Sequence, residues 1–230
     1  MAERGELTRQ KLIDTALRLF RDDGYHATTM RRIATDAGVS LGNAYYYFAS
    51  KDDLVHELYR RVQRDHRDRA LPLLRPGAAL STNLRIALHA GLDVMAPYQG
   101  FGSTFVQVAL PVSSTASPFS AESTNARAMA IDLMQQVVQT SRRRPPAALQ
   151  ERLPTLLWLA YLAITLHWVS DRSPGQARTR ALVDRAAPLI SRLVNLARLP
   201  GSGRLVTEVN ALMDIATSDP SVSEIVEVSR

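Results

Sequence analysis

Thr29, Arg32, Ser40, Leu41, Gly42, Asn43, Tyr45, Tyr46, Tyr47 and Lys51 bring hydroxyl, guanidinium, amide, phenol and ammonium groups into one short stretch of the chain. They are donors and acceptors suited to a polyanion. A hydroxyl just ahead of an apolar run caps a helix, and the free amides of that helix start suit an anion. Asparagine sets an acceptor beside donors and can hold adenine by both on its major-groove edge. Ser40 and Gly42 are small enough to let a helix backbone come close to a surface, and a larger side chain at 42 would push it off.

Other chemistries find less support. The chain has no cysteine, which excludes disulfides, thiolate metal sites and thiol nucleophiles. His26, His56, His66, His89 and His167 do not cluster at metal-ligand spacing. His89 and Asp93 lie four apart on one helix face and could hold a metal or form an acid-base pair. No third ligand accompanies them, and a plain hydrogen bond or an exposed pair is the simpler account. The nucleophile elbow Gly-x-Ser-x-Gly, a phosphate loop, His-Glu-x-x-His and a dinucleotide fingerprint are all missing from the sequence. An all-helical enzyme is therefore the alternative reading, and no catalytic residue, cofactor or metal is assigned.

The elements that position these groups read as helices. Apolar residues recur at helical spacing almost throughout, and no run alternates with a period of two, which predicts an all-α fold. Thr8 is expected to cap a first helix with Leu12, Ile13, Ala16, Leu17 and Phe20 inward, ended by Gly24. Thr29 caps a short second helix, and Ser40 an equally short third. Ser50-Lys51-Asp52-Asp53 sets a hydroxyl and two carboxylates at the start of a longer connecting helix, from 50 to 71, that ends at Pro72.

Ser81 or Thr82 opens the next helix, a short helix and loop fill 98 to 120, and Ser120 starts another. Residues 153 to 169 are apolar around the whole circumference. Such a helix must be surrounded by other helices or by lipid, and a run of this length falls short of the ~20 residues of a span, so a buried helix is expected. Ser173-Pro174-Gly175-Gln176 reads as a capping box for a final long helix with two apolar stripes, Leu182, Ala186, Leu189 and Leu193 beside Val183, Ile190 and Val194. A two-faced helix next to an all-apolar one supplies half of an intermolecular four-helix bundle, so a homodimer through 153–171 and 174–199 is expected; an interior role in a monomeric bundle is the alternative. After Gly203 a shorter amphipathic segment carries Leu205, Val209, Leu212, Met213 and Ala216.

Helix two, the turn Gly38-Val39-Ser40 and helix three meet the requirements of a helix-turn-helix. Ala34 and Ala37 are small where the helices cross, Gly38 supplies a positive φ, Val39 plugs the turn and Ser40 caps helix three. In such a unit the second helix enters the major groove and the first crosses the phosphate backbone.

The run Gly24-Tyr25-His26-Ala27-Thr28-Thr29-Met30-Arg31-Arg32-Ile33-Ala34, continuing as Ala37-Gly38-Val39-Ser40-Leu41-Gly42-Asn43-Ala44-Tyr45-Tyr46-Tyr47-Phe48-Ala49-Ser50-Lys51-Asp52-Asp53-Leu54, resembles the DNA-binding domain of the tetracycline-repressor family. The resemblance covers residues 8 to 60 and implies a dimeric transcriptional regulator, usually a repressor, released from its operator by a small molecule. It implies that Thr29 donates to a phosphate, that Tyr45 and Tyr47 touch thymine methyls, sugars or phosphates, and that Lys51 grips the backbone. Tyr46 and Phe48 belong to an aromatic run that is often core, and Phe48 is expected to pack. Arg32 stands where similar sequences are often acidic; a cation in a first helical turn opposes the dipole by ~0.3 to 1 kcal/mol, which suggests compensation by a phosphate. Leu41 replaces a common polar or cationic residue and either meets a thymine methyl or faces solvent.

The domain expectation is 1–52 for DNA, 53–217 for ligand binding and dimerisation, and 218–230 as a flexible tail. A ligand cavity would draw its apolar wall from Met95, Tyr98, Phe101, Phe105, Met134, Trp158 and Tyr161, with His89, Asp93 and Gln135 for orientation. Composition agrees with this plan: 230 residues, 46% hydrophobic and 22% charged, describe a globular protein. A net charge of +6, split evenly between the first 75 residues and the longer remainder, is denser where the polyanion would bind. The start Met1-Ala2-Glu3-Arg4-Gly5-Glu6 carries no apolar run behind a basic start, and a cytoplasmic location without membrane attachment is expected.

Overall fold

The computed structural model describes residues 2–109, 114, 117–198, 207, 208 and 211. The segment expected to be amphipathic after Gly203 and the tail 218–230 lie outside them, save for 207, 208 and 211. Among the described residues the fold is all-helical, with ten helices. They are α1 (Ala2–Asp22), α2 (Met30–Asp36), α3 (Leu41–Tyr47), α4 (Lys51–Ala70), α5 (Leu80–Met95), α6 (Gln99–Ala109), α7 (Thr124–Gln139), α8 (Ala147–Gln150), α9 (Leu153–Ser170) and α10 (Ala177–Leu196).

Helix α1 starts six residues before Thr8, which therefore lies inside it rather than capping it. Glu6 and Arg9, 3.8 Å apart at i,i+3, support this extra turn. Leu12, Ile13, Ala16, Leu19 and Phe20 are buried, and the chain leaves α1 through Gly24 at φ +88°. Helix α4 has both arms of the capping box: Asp53 N–H donates to Ser50 Oγ at 3.2 Å, and Ser50 N–H donates to Asp53 Oδ2 at 3.0 Å. Leu54, Val55 and Leu58 of α4 close over the three-helix bundle, and burying each stabilises by about 1.5–3 kcal/mol.

Three helix starts differ from the sequence expectation. Helix α5 begins at Leu80 without a side-chain cap. The fully buried Asn83 instead holds the incoming turn, accepting from Arg75 N–H at 2.9 Å and donating to Arg75 O at 3.0 Å and Thr140 Oγ1 at 3.2 Å. Helix α7 begins at Thr124, because Ser120 Oγ accepts from Ser123 N–H at 3.2 Å in a tight turn ahead of it. At α10 the expected box gives way to a 3₁₀ turn over Pro174–Gln176 in which Gly175 has φ +59°. Asp171 does the capping. Its carboxylate accepts from Ser173 N–H and Oγ at 2.9 and 2.6 Å, and from Thr179 N–H and Oγ1 at 2.8 Å each. These donors hold its carboxyl well below the usual carboxylate range. Gln176 turns away to donate to Gln99 Oε1 at 2.7 Å.

Helix α9 is long and apolar enough to cross a membrane by length and composition. In this fold Leu153, Leu157, Trp158, Tyr161, Ile164 and Trp168 are buried, while Leu166 is exposed. Helix α10 buries Val183, Ala187 and Val194 and leaves Leu182, Leu189, Leu193 and Leu196 in solvent. The two stripes read from the sequence thus separate into one that packs and one that is free.

Where α4 crosses α5, Gly91 makes room for two rings: a Cβ there would stand 2.9 Å from Tyr161 Cε2 and 3.0 Å from His66 Cε1. His66 is buried, with Nε2 2.8 Å from Ala87 O and Nδ1 unpartnered, and burial pushes its pKa down to about 4. The unfolded chain takes up a proton near pH 6.5 that the folded chain refuses until about 4, so stability is full above pH 6.5 and falls through that window. His66→Leu is expected to flatten the pH dependence of chemical denaturation between pH 6.5 and 4 by an amount on the order of 2–3 kcal/mol. A wild-type profile already flat there would refute the assignment.

Candidate nucleic-acid interface and ligand cavity

Helices α2 and α3 meet at a turn closed by backbone hydrogen bonds, and a hydroxyl caps each helix. Gly38 at φ +64° ends α2, with its N–H donating to Thr35 O at 3.0 Å and Val39 N–H to Ala34 O at 2.9 Å, the paired bonds of a Schellman motif. Ser40 Oγ then caps α3 by accepting from Asn43 N–H at 3.1 Å, and Thr29 Oγ1 caps α2 by accepting from Arg32 N–H at 3.2 Å. Each hydroxyl uses its lone pair on the helix and keeps its proton for an outside acceptor. Ala34, Ala37 and Ala44 are buried where the helices cross, and Val39 is half-buried.

The face that results is open. Thr29, Ser40, Gly42, Asn43, Tyr45 and Tyr46 are exposed, Tyr46 at 81%, and a Cβ on Gly42 would meet nothing within 4 Å. Tyr47 is half-buried with its ring edge-on to Tyr46 at 5.1 Å, and Leu41 is half-buried against the core rather than free in solvent. Phe48 is buried, as its place in the run suggested, while Tyr46 is not core.

Two of the cations expected at the interface also have partners within the protein. Arg32 Nε donates to Asp36 Oδ1 at 3.0 Å, and Arg18 reaches the same carboxylate at 3.0 Å, so an acid one turn on offsets the cation within the protein. Lys51 points inward. Its Nζ donates to Tyr25 O and Thr28 O, each at 2.7 Å, and lies 4.3 Å from the centre of the Tyr25 ring. The ammonium therefore braces the turn leading into α2, and Tyr25 OH donates to Asp52 beside it. Through Thr28 O, Lys51 is tied to the residue just ahead of the Thr29 cap. Lysine's spacing to two carbonyls across a loop leaves no periodic trace, so nothing in the sequence signalled this.

The larger half of the fold holds a narrow apolar cleft of about 70 Å³ between α4, α5, α6 and α9. Of the residues expected to line it, Met95, Tyr98, Phe101, Phe105 and Tyr161 do. His89, Met134 and Trp158 do not. His89 Nε2 lies 3.0 Å from Asp184 Oδ1 on α10, Met134 is fully buried in the α7 core, and Trp158 is buried edge-on against Phe119 at 5.4 Å. Asp93 binds Arg69 at 3.1 Å and Arg180 at 2.8 Å instead of joining His89, and Gln135 lies on a different surface near Pro145. Sequence patterning missed Tyr59, Gln63, Leu162, Thr165 and Trp168. Tyr161 and Trp168 are seven apart and share a helix face, a signal hidden because α9 is apolar on every side.

The signature described as bacterial regulatory proteins, tetR family, matches residues 12–58, and that of the tetracyclin repressor-like C-terminal domain matches 83–212. The chain belongs to the tetracycline-repressor family. As a member of that family it is a DNA-binding transcriptional regulator and not an enzyme. It is 38% identical over 80 residues to the regulator BetI of Cronobacter sakazakii, across 35% of this chain and 40% of that protein. It is 44% identical over 52 residues to the repressor KstR2 of Mycobacterium tuberculosis, across 23% of this chain and 26% of the other. The chain thus spans well under half the length of these curated relatives. Among solved structures, the fold is similar to that of Thermus thermophilus FadR, a tetracycline-repressor-family repressor in complex with lauroyl-CoA, with a TM-score of 0.57 and 21% identity over 84% of this chain and 95% of the other.

For this family member Asn43→Ala is expected to cost ~1 to 3 kcal/mol at one base position of the operator. Its exposed side chain supports nothing in the free protein, so binding to random DNA should not change. Fluorescence anisotropy on cognate and random duplexes checks this; equal losses on both would refute base reading by Asn43.

Proposed function

We propose that the protein is a repressor that binds a palindromic operator as a homodimer and is released by a small apolar or amphipathic molecule. Residues 1–52 would read DNA, and 53–217 would hold the ligand and the second copy. Lys51 braces the turn just ahead of Thr29, whose hydroxyl and the first amides of α2 would meet a phosphate, while Asn43, Tyr45 and Tyr46 on α3 meet the groove. The exposed leucines of α10 beside the open side of α9 form an apolar face that a second copy, related by a two-fold axis, would cover. Two recognition helices set ~34 to 36 Å apart then match successive major grooves. Such a regulator works in the cytoplasm, on the chromosome.

The observation that carries ligand release is the place of Phe101. It lines the cleft, and its ring stacks on Phe20 of α1 at 5.6 Å. A molecule in the cleft presses on α6 through Phe101 and on α4 through Leu58 and Val62, and both helices abut the DNA-reading bundle. That FadR, of similar fold, is known in complex with lauroyl-CoA supports a bound molecule here. A coupling of ~1 to 3 kcal/mol per ligand would be typical.

The test is selection of bound genomic fragments, followed by anisotropy on the selected sites with and without compounds suggested by the neighbouring genes. Inverted repeats and release by at least one compound are expected. Single unrepeated half-sites would overturn the dimeric operator, and affinity indifferent to every compound that binds the protein would overturn release.

A further inference from the structure

A second hollow lies at the seam between the DNA-reading head and the rest of the fold. One wall is α1, through Leu17, Arg18 and Arg21; the other is Pro97, Tyr98 and Phe101, at the entry to α6. Its volume is about 150 Å³, against about 70 Å³ for the cleft, and its wall is polar in part where that of the cleft is almost wholly apolar. Tyr98 and Phe101 line both hollows and so form the partition between them. A cavity of about 150 Å³ is room enough for one benzene ring.

The charge of this crevice comes from one side. Residues 94–121, which include α6, hold no acidic or basic side chain. Among the described lining residues, α1 supplies two guanidiniums, of Arg18 and Arg21, and one carboxylate, of Asp14. Asp14 is engaged: it accepts from Gln10 Nε2 at 2.7 Å and lies 3.5 Å from Arg61, which also faces Asp65 at 3.7 Å. Arg18 shares Asp36 with Arg32, each at 3.0 Å, so one carboxylate answers two cations, and Arg21 pairs with its neighbour Asp22 at 2.8 Å. A guanidinium carries more N–H donors than these bonds use.

Gly100 brings Arg21 to the seam. A Cβ there would stand 2.6 Å from Arg21 Cδ and 2.9 Å from its Cγ, so the bare backbone of α6 is what lets the arginine stem lie against it. The side chains of Arg18 and Arg21 are 47% and 50% exposed, and a small solute reaches them without any opening of the fold. Independently of the role given to the cleft, we infer that this crevice binds a single-ring carboxylate, its ring on Leu17, Pro97, Tyr98 and Phe101 and its charge toward Arg18 and Arg21. Aromatic walls suit a ring, and guanidiniums hold a carboxylate by charge-assisted hydrogen bonds. A molecule that touches α1 and α6 at once holds the head in this arrangement and stabilises it.

The experiment titrates benzoate, benzamide and acetate into the full chain at pH 7, followed by ligand-observed NMR, and maps the site with 4-azidobenzoate as a photolabel. Benzoate is expected to bind in the millimolar range, with benzamide at least about tenfold weaker for want of the charge and acetate at least about tenfold weaker for want of the ring. The label should fall on peptides spanning 14–21 and 97–101 and be displaced by excess benzoate. Arg21→Gln should lower benzoate to the affinity of benzamide and leave the thermal midpoint unchanged, because Arg21 is half-exposed and pairs with its own neighbour. Should that variant fail to fold, the order of the three ligands and the label on the unaltered chain decide alone. Benzamide or acetate bound as well as benzoate, a folded Arg21→Gln variant with unaltered benzoate affinity, label on α9 of the cleft or elsewhere, or no binding at about 10 mM benzoate would each overturn the site.

Discussion

Gly42→Leu is expected to abolish operator binding while leaving the protein as stable as before or more so. Gly42 lies in the first turn of α3 with a helical φ, and open space surrounds the point where a side chain would begin. Leucine is the better helix former by close to 1 kcal/mol, so the thermal midpoint should hold or rise. In the proposed complex with DNA the same position would face the groove, and an isobutyl group there would keep the backbone of α3 and the Ser40 hydroxyl from closing on their partners. A loss of at least a hundredfold, about 2.7 kcal/mol, is expected in anisotropy titrations at fixed salt. Stability retained with binding lost is the diagnostic pair. Affinity within threefold of the parent would mean that this face of α3 does not enter the groove.

The second large effect is expected from Leu189→Glu combined with Leu193→Glu. These side chains are 56% and 54% exposed, so carboxylates cost the single chain little. In a two-fold assembly the same pair would be buried against its own image, where each lost leucine costs about 1.5–3 kcal/mol and each unpaired carboxylate adds desolvation. Sedimentation velocity is expected to show the parent as a dimer and the variant as a monomer. Operator affinity should fall by at least about a hundredfold, because the second half-site is then bound without the gain in effective concentration. A variant that sediments like the parent would place the interface elsewhere.

The parts of the molecule that the sequence made legible are those stabilised locally. Gly24, Gly38 and the box from Ser50 to Asp53 work within a few residues, and all three lie where their types imply. The turn from Ala37 to Ser40 shows why this family is recognisable from so short a run: a positive φ, a plug and a cap leave few alternatives. Less legible were the starts of α5, α7 and α10. Serine and threonine near an apolar run are poor guides when Asn83 inside α5 ties down the incoming turn and Asp171 ahead of α10 supplies the acceptor. The cleft was half legible. Met95 to Phe105 lie on one uncharged stretch and line it together, whereas Gln63 lines it from a helix whose neighbouring arginines make the segment look solvated.

Phe20 has one further implication. The three-helix head closes its underside with Leu54, Val55 and Leu58 from α4 and with the ring of Phe101 from α6, and one apolar core runs from Leu12 to Val194 without a break. A head excised at residue 52 would expose that underside, so it is not a transplantable module. Chimaeric sensors that graft this recognition helix onto another effector domain must import the matching pieces of α4 and α6 as well, or redesign the seam.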